Sequence, residues 1–279
     1  MKLCDLHTHS VFSDGTYTPK ELILSAAQMG LSAIALCDHN TVDGLPDFLS
    51  AAKESCVEAI AGAEFSVDYQ GKELHLLGLY IPEVCFPAVS RLMEDVMARK
   101  MQSNLDLINA LNAAGYAIDY ETIKNATPNH KFNRAHIAAE LTRKGYTATI
   151  KEAFKKLLSP SAGYYKEPER ISVWEMLAFI IEIGAVPVLA HPFLNLNEAE
   201  LTEFLPLATL HGLAGMECYY STYDEETTEK SLALADHFGL KYSGGSDFHG
   251  SNKPDIQIGI GKGNLQIPYA WAAELKAAR

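Results

Sequence analysis

Asp5-Leu6-His7-Thr8-His9-Ser10 is the stretch on which the reading of this chain turns. The residues Leu3 to Leu6 are short and apolar enough for a buried strand. His7 and His9 are two apart, so on a strand both side chains point to one face. Two imidazoles converging at a strand end make a clamp for a divalent metal. The pair alone is equally compatible with a polar loop after a strand. What decides between the two is whether further His, Asp and Glu residues stand where other strands end.

They do. Thr18-Pro19-Lys20-Glu21 combines a cap, a proline at the first helical position and a capping box, and predicts a helix running to Gly30. Ser32–Cys37 reads as a strand ending in Asp38-His39, followed by a helix over about Val42–Glu54. Val57–Phe65 is a strand region with Glu64 near its end. Glu73–Tyr80 is another strand, containing His75, and Tyr69-Gln70-Gly71-Lys72 predicts the hairpin between them. From about Phe86 to Ser159 the periodicity is helical throughout, with helices expected over Ala88–Ala114, Asn133–Gly145 and Thr149–Leu158. Alternation then resumes. A capping box at Ser172 to Glu175 opens a helix ending at Gly184, and Val186–Ala190 is a strand delivering His191. A helix over about Asn197–Ala208 follows, then a strand over Leu213–Tyr219 carrying Glu217. After a helix from Asp224 to Gly239, a short strand at Lys241–Ser243 leads into Gly244-Gly245-Ser246-Asp247-Phe248-His249. A helix over Tyr269–Ala278 comes last.

This is a strand-helix alternation interrupted by a helical insertion. The expected division is a discontinuous barrel, 1–90 and 168–279, with a cap domain at 91–167. In a barrel of parallel strands the carboxyl ends meet on one rim, where residues far apart in sequence converge. Singly, each candidate has a plainer explanation: Asp38 caps the next helix, and His75 is a hydrogen-bonded core histidine. Together His7, His9, Asp38, His39, Glu64, His75, His191, Asp247 and His249 mark strand end after strand end. His130, His211 and His237 fall outside this register, the last two as solvent-exposed polar residues.

The 279 residues carry a formal net charge of -12, which excludes a broad basic surface for long duplex nucleic acid. It does not exclude a phosphorylated substrate, because bound cations invert the local sign. Of the five cysteines, Cys4, Cys37 and Cys218 fall in apolar runs and none forms a C-x-x-C pair. With no signal-peptide pattern and no apolar run long enough to span a bilayer, a cytoplasmic protein without a membrane or an obligate protein partner is expected.

Asp5-Leu-His7-Thr-His9-Ser-x-x-Ser-Asp14-Gly, Asp38-His39, Gly62-Ala-Glu64, His75, Ala190-His191-Pro and Ser246-Asp247-x-His249 resemble, in order, the motifs of the polymerase and histidinol phosphatase (PHP) family of metal-dependent phosphoesterases. The closest likeness is to its small bacterial branch acting on nucleotides and sugar phosphates, helped by Phe132-Asn-Arg134-Ala-His136 in the insertion. The resemblance implies a distorted (β/α)7 barrel of α/β class. It also implies two to three divalent ions (Mn, Zn or Fe), held by His7, His9, Glu64 and Asp247, by Glu64, His75 and His191, and by Asp14, His39 and His249. Some family members have His where Asp14 stands, so an oxygen ligand here points to a weaker or more Mn-like third site. Asp5 and Asp38 are expected behind the ligands, orienting them. Paired cations would activate water and neutralise the ester, with Asp247 moving the proton, or His249 or His39 assisting the leaving group if the third ion is absent. Arg134, His136, Lys166 and Glu217 are the expected substrate contacts, Glu217 alternatively supporting the metal shell or pairing with a lysine, with the helical cap shielding a small phosphorylated substrate. The leading expectation is a phosphomonoesterase for a nucleotide such as a 3',5'-bisphosphate. A cyclic phosphodiesterase or 5'-3' exonuclease on short oligonucleotides, a histidinol phosphatase and a non-catalytic metal-binding regulatory module are the alternatives.

Overall fold

The computed structural model describes residues 2–125 and 134–279. It divides into two compact units, Met1–Arg91 with Ile171–Arg279, and Leu92–Arg170.

The first unit is one seven-stranded sheet whose strands lie in chain order. They are β1 (Cys4–Thr8), β2 (Ala33–Leu36), β3 (Glu58–Tyr69), β4 (Lys72–Leu79), β5 (Val186–Leu189), β6 (Gly215–Tyr220) and β7 (Lys241–Gly245). Neighbours are parallel except that β4 runs antiparallel to both β3 and β5. The ring nearly closes. Asp247 N donates to His7 O at 2.8 Å and His9 N to Phe248 O at 2.9 Å, with Thr8 bridging Phe248 in parallel.

The antiparallel strand departs from a uniformly parallel barrel, and its cause is local. Gln70 (φ 52°) and Gly71 (φ 80°) both take left-handed backbone, giving the two-residue turn that suits a hairpin. The reversal means that the beginning of β4, not its end, lies beside the carboxyl ends of the other strands. His75 therefore reaches the rim from the first half of its strand. β3 is also longer than expected, so Glu64 sits in its middle and not at its end. Period two still places both correctly. Ile60, Leu77 and Leu79 belong to the barrel's apolar interior with Cys4, Leu6, Ala33, Val186 and Val188. Glu64 and His75 continue that face toward the rim. Each fully buried aliphatic side chain here contributes roughly 1.5–3 kcal/mol.

The outer helices of this unit are α1 (Pro19–Gln28), α2 (Leu45–Ala52), α7 (Val173–Glu182), α8 (Glu198–Leu210), α9 (Glu225–Phe238) and α10 (Tyr269–Ala277). Both expected capping boxes form, Thr18 with Glu21 and Ser172 with Glu175, and Asn197 with Glu200 adds a third. α2 starts later than the sequence pattern suggests, because Gly44 and not a polar cap precedes it.

The second unit is helical and has its own core, including Leu107, Leu111, Ile137, Leu141 and Leu158. α3 (Phe86–Ala113) leads into it, followed by α4 (Tyr120–Asn125), α5 (Arg134–Arg143) and the short α6 (Ile150–Ala153), which passes into a π-helical turn at Phe154–Leu158. α4 has no counterpart in the sequence reading. At six residues it is too short for its periodicity to register. No helix among the described residues is long and apolar enough to cross a membrane.

Candidate metal centre

Four atoms converge at the inner end of the cluster. His7 Nε2 and His9 Nε2 stand 3.1 Å apart, and Glu64 Oε2 lies 3.2 and 3.3 Å from them. Asp247 Oδ1 is 3.2 Å from His9 Nε2 and 3.8 Å from His7 Nε2. The other oxygen of Glu64, Oε1, meets His75 Nδ1 at 2.8 Å and His191 Nε2 at 2.9 Å. Glu64 thus joins two groups of imidazoles, one through each oxygen.

The outer end is looser. Asp14 Oδ1 lies 3.1 Å from His249 Nε2 and 3.8 Å from His9 Nδ1, and Asp14 Oδ2 lies 3.8 Å from His39 Nε2. His39 turns its opposite nitrogen, Nδ1, to Glu64 Oε2 at 3.0 Å. Among the described residues, the ligand-capable groups that close up tightly enough for an ion are His9-Asp14-His39-His249, His7-His9-Glu64 and His39-Glu64-His75. This differs from a partition into three separate sets: His9 and His39 each belong to two groups, because each ring offers one nitrogen inward and one outward.

Divalent cations fit this arrangement. Glu64 Oε2 is buried among three histidine nitrogens, yet none is aligned to hydrogen-bond it, and His191 Nδ1 is likewise buried without a partner. Buried polar atoms are ordinarily satisfied, and mixed imidazole and carboxylate donors suit Zn, Mn or Fe. Electrostatics agree. Burial opposes the charged form of Glu64, but the neighbouring histidines outweigh it and hold the carboxyl well below its usual range. Asp247 behaves the same way, with His9 and His7 overcoming burial. Burial lowers the affinity of His7 for a proton, while Glu217 and Glu64 raise it by more, for a net rise well above the ordinary value. His75 is pushed up to about 9, its burial offset by hydrogen bonds to Glu64 and Glu73.

Among the buried supports, Glu217 and Asp38 differ from the leading expectation. Glu217 is not a substrate contact. It is fully buried, its Oε1 is 3.1 Å from His7 Nδ1, and its Oε2 accepts His191 N at 2.7 Å. Both oxygens are spent on positioning two rings, and the second holds His191 in a strained left-handed conformation (φ 27°) ahead of Pro192. Asp38 neither orients a histidine nor caps α2. It accepts Ser10 N at 2.7 Å, Ser10 Oγ at 2.6 Å and Ser13 Oγ at 2.6 Å, and so shapes the loop that carries Asp14. Asp5 accepts Ser246 N at 2.9 Å and Gly259 N at 2.8 Å, fastening β1 to the segment bearing Asp247.

Two residues at the rim are absent from the sequence reading. Tyr220 Oη donates to Asp247 Oδ2 at 2.7 Å, and Lys253 Nζ donates to the same oxygen at 2.6 Å. Tyr220 ends β6, so the strand-end rule extended to hydroxyls would have found it. Gly245 matters for a different reason: a Cβ there would lie 2.2 Å from His7 Cβ, so only glycine lets β7 pack against the first histidine.

Arg134, His136 and Lys166 belong to the second unit. Arg134 lies over the Tyr165 ring at 4.1 Å, and its Nη1 donates to Leu158 O at 3.4 Å. His136 is half-buried and Lys166 is exposed. His130, Phe132 and Asn133 lie outside the described residues. His211 and His237 are exposed, in keeping with their place outside the strand-end register.

A PHP domain model matches residues 5–180 of this chain. The chain belongs to the PHP domain family. It is 29% identical over 249 residues to a 5'-3' exoribonuclease of Haemophilus influenzae, covering 89% of this chain and 90% of that one. It is also 29% identical over 257 residues to a 3',5'-nucleoside bisphosphate phosphatase of Chromobacterium violaceum, covering 91% and 90%. The structure resembles a Bifidobacterium adolescentis protein classed as a metal-dependent phosphoesterase, with a TM-score of 0.72 at 25% identity over 99% of this chain and 96% of that one. Family membership and this cluster together make the chain a metal-dependent phosphoric ester hydrolase with a PHP barrel.

Proposed function

We propose that the protein is a phosphomonoesterase acting on a small phosphorylated metabolite, a nucleotide such as a 3',5'-bisphosphate being the substrate that fits best. The observation that carries this reading is the Glu64 carboxylate, buried at the meeting point of the histidine groups with one oxygen unpartnered. His7, His9, Glu64 and Asp247 would hold one ion, Glu64, His75 and His191 a second, and Asp14, His39 and His249 a third, with His9 and His39 spanning neighbouring positions. Bound ions supply Lewis acidity toward the phosphate and a reactive water.

The protein's own groups then divide the remaining work. Asp247 presents Oδ1 to His9 while Tyr220 and Lys253 occupy Oδ2. It is fixed as a carboxylate, which makes it a poor proton carrier. His249 is better placed. Its Nδ1 faces Asp247 O at 2.8 Å and its Nε2 faces Asp14 at the exposed edge, so when no ion occupies the outer position a proton at Nε2 can pass to a departing oxygen.

The likeness to an exoribonuclease supports a second reading, stepwise trimming of short single strands from the 5' end. One panel separates them: phosphate release from nucleoside bisphosphates, mononucleotides and short RNA, with Mn added and bound metal measured. Free phosphate from bisphosphates supports the first reading, and mononucleotide products from RNA the second. Bound metal with no hydrolysis of any ester sinks both.

A further inference from the structure

Lys253 stands in the loop after β7 with its ammonium against the metal cluster. Among the described residues, no other lysine or arginine pairs with any of the nine clustered side chains; the remaining ion pairs of the barrel are remote from it. Asp247 does not need this lysine to satisfy its outer oxygen, since Tyr220 already donates to it at 2.7 Å. Lys253 Nζ has three protons and makes one hydrogen bond among the described residues, that to Asp247. Its side chain is 36% exposed, so the residue is open to solvent and not sealed in the core.

The base of the side chain is firmly held. Lys253 N donates to Gly250 O at 3.1 Å, Ser251 N to Thr16 Oγ1 at 2.9 Å, and Asn252 Nδ2 to Asp14 O at 2.7 Å. Gly250 has φ +64°, and a Cβ there would meet Thr16 Oγ1 at 2.0 Å. The loop is thereby locked to the segment carrying Asp14, and Lys253 reaches Asp247 from a fixed root.

We propose that Lys253 is a catalytic residue that binds a non-bridging oxygen of the substrate phosphate while it remains paired with Asp247. A compact ammonium is suited to a phosphate oxygen as a point charge. Placed here, it adds positive charge where charge accumulates in phosphoryl transfer. The inference rests on the phosphoesterase reading, and the test keeps the two apart.

Inorganic phosphate binding to the metal-loaded protein is measured by calorimetry for the wild type, K253M and K253R, alongside bound metal and steady-state kinetics. K253M should keep its metal, bind phosphate about 10-fold more weakly or worse, and lose about 100-fold in kcat/KM. K253R should recover most of both. Phosphate binding unchanged in K253M overturns the proposal. So does loss of metal in K253M, which would reduce Lys253 to positioning Asp247; K253Q repeats the measurement if K253M does not fold. A wild type that binds phosphate through Lys253 but hydrolyses no ester defeats the functional reading alone, whereas full turnover by K253M defeats only the role of the lysine.

Discussion

The inner and outer ends of the metal centre use the same residue types on different supports. His7, His9, Glu64 and His191 are buried and stand in or directly after strands, and Asp247 follows β7. Second contacts fix them: Glu217 holds His7 and His191, and Tyr220 and Lys253 hold Asp247. Asp14, by contrast, is carried by a loop and is 56% exposed, and His39 is 26% exposed. Desolvated, pre-oriented donors bind an ion with little left to reorganise, whereas an exposed carboxylate competes with water for its partner. An ion at the inner end is therefore expected to be held more tightly than one beside Asp14.

The largest test removes the residue that serves both sides. Glu64→Ala should strip the inner ions, as read by elemental analysis, and lower kcat/KM by about 10³-fold. Retention of full metal content would break the assignment of Glu64 as the shared ligand. Glu217→Gln probes the support alone and should cost roughly 10–100-fold in metal affinity or activity. Asp14→Asn should lower activity about 10-fold. It should also make one ion leave on mild chelation while the others stay, and loss of all ions together would erase the distinction between the two ends. The smallest effect is expected at the barrel floor. There Tyr269 Oη donates to Glu58 Oε2 at 2.6 Å and Lys276 Nζ to Oε1 at 2.9 Å. Burial raises the Glu58 pKa, but these two bonds outweigh it and hold it below its ordinary value. That stability is present above the unfolded carboxyl value and is lost as pH falls through the folded one. Glu58→Gln should flatten the acid side of Tm against pH, by at most about 1 kcal/mol for a pair partly in water, and leave metal content untouched.

Much of the fold and most residues of the histidine and carboxylate cluster are legible in the sequence. Capping boxes at Thr18 and Ser172 announce their helices because the signal is local. The strand-end rule gathers residues as distant as His7 and His249, because a barrel converts alternation in sequence into a ring in space. The features that sequence does not reveal share a physical cause: each depends on a contact distant along the chain. The antiparallel course of β4 depends on a two-residue turn whose effect on strand order a local pattern does not state. Glu217 has the pattern of any strand-end carboxylate, and nothing local says that two buried partners will claim both of its oxygens. Lys253 sits in a loop without periodicity, and its meaning comes only from Asp247 lying beside it.

Asp5 ties the barrel shut across 241 residues to Ser246 and across 254 to Gly259. Contacts so distant along the chain carry a large loop-closure cost and form late in folding. During synthesis His7, His9 and Glu64 emerge well before Asp247 exists, so a nascent chain carries three of the four inner donors without the last. Asp247 is thus the last donor of the inner group to be synthesised, and the group is complete only once the ring has closed.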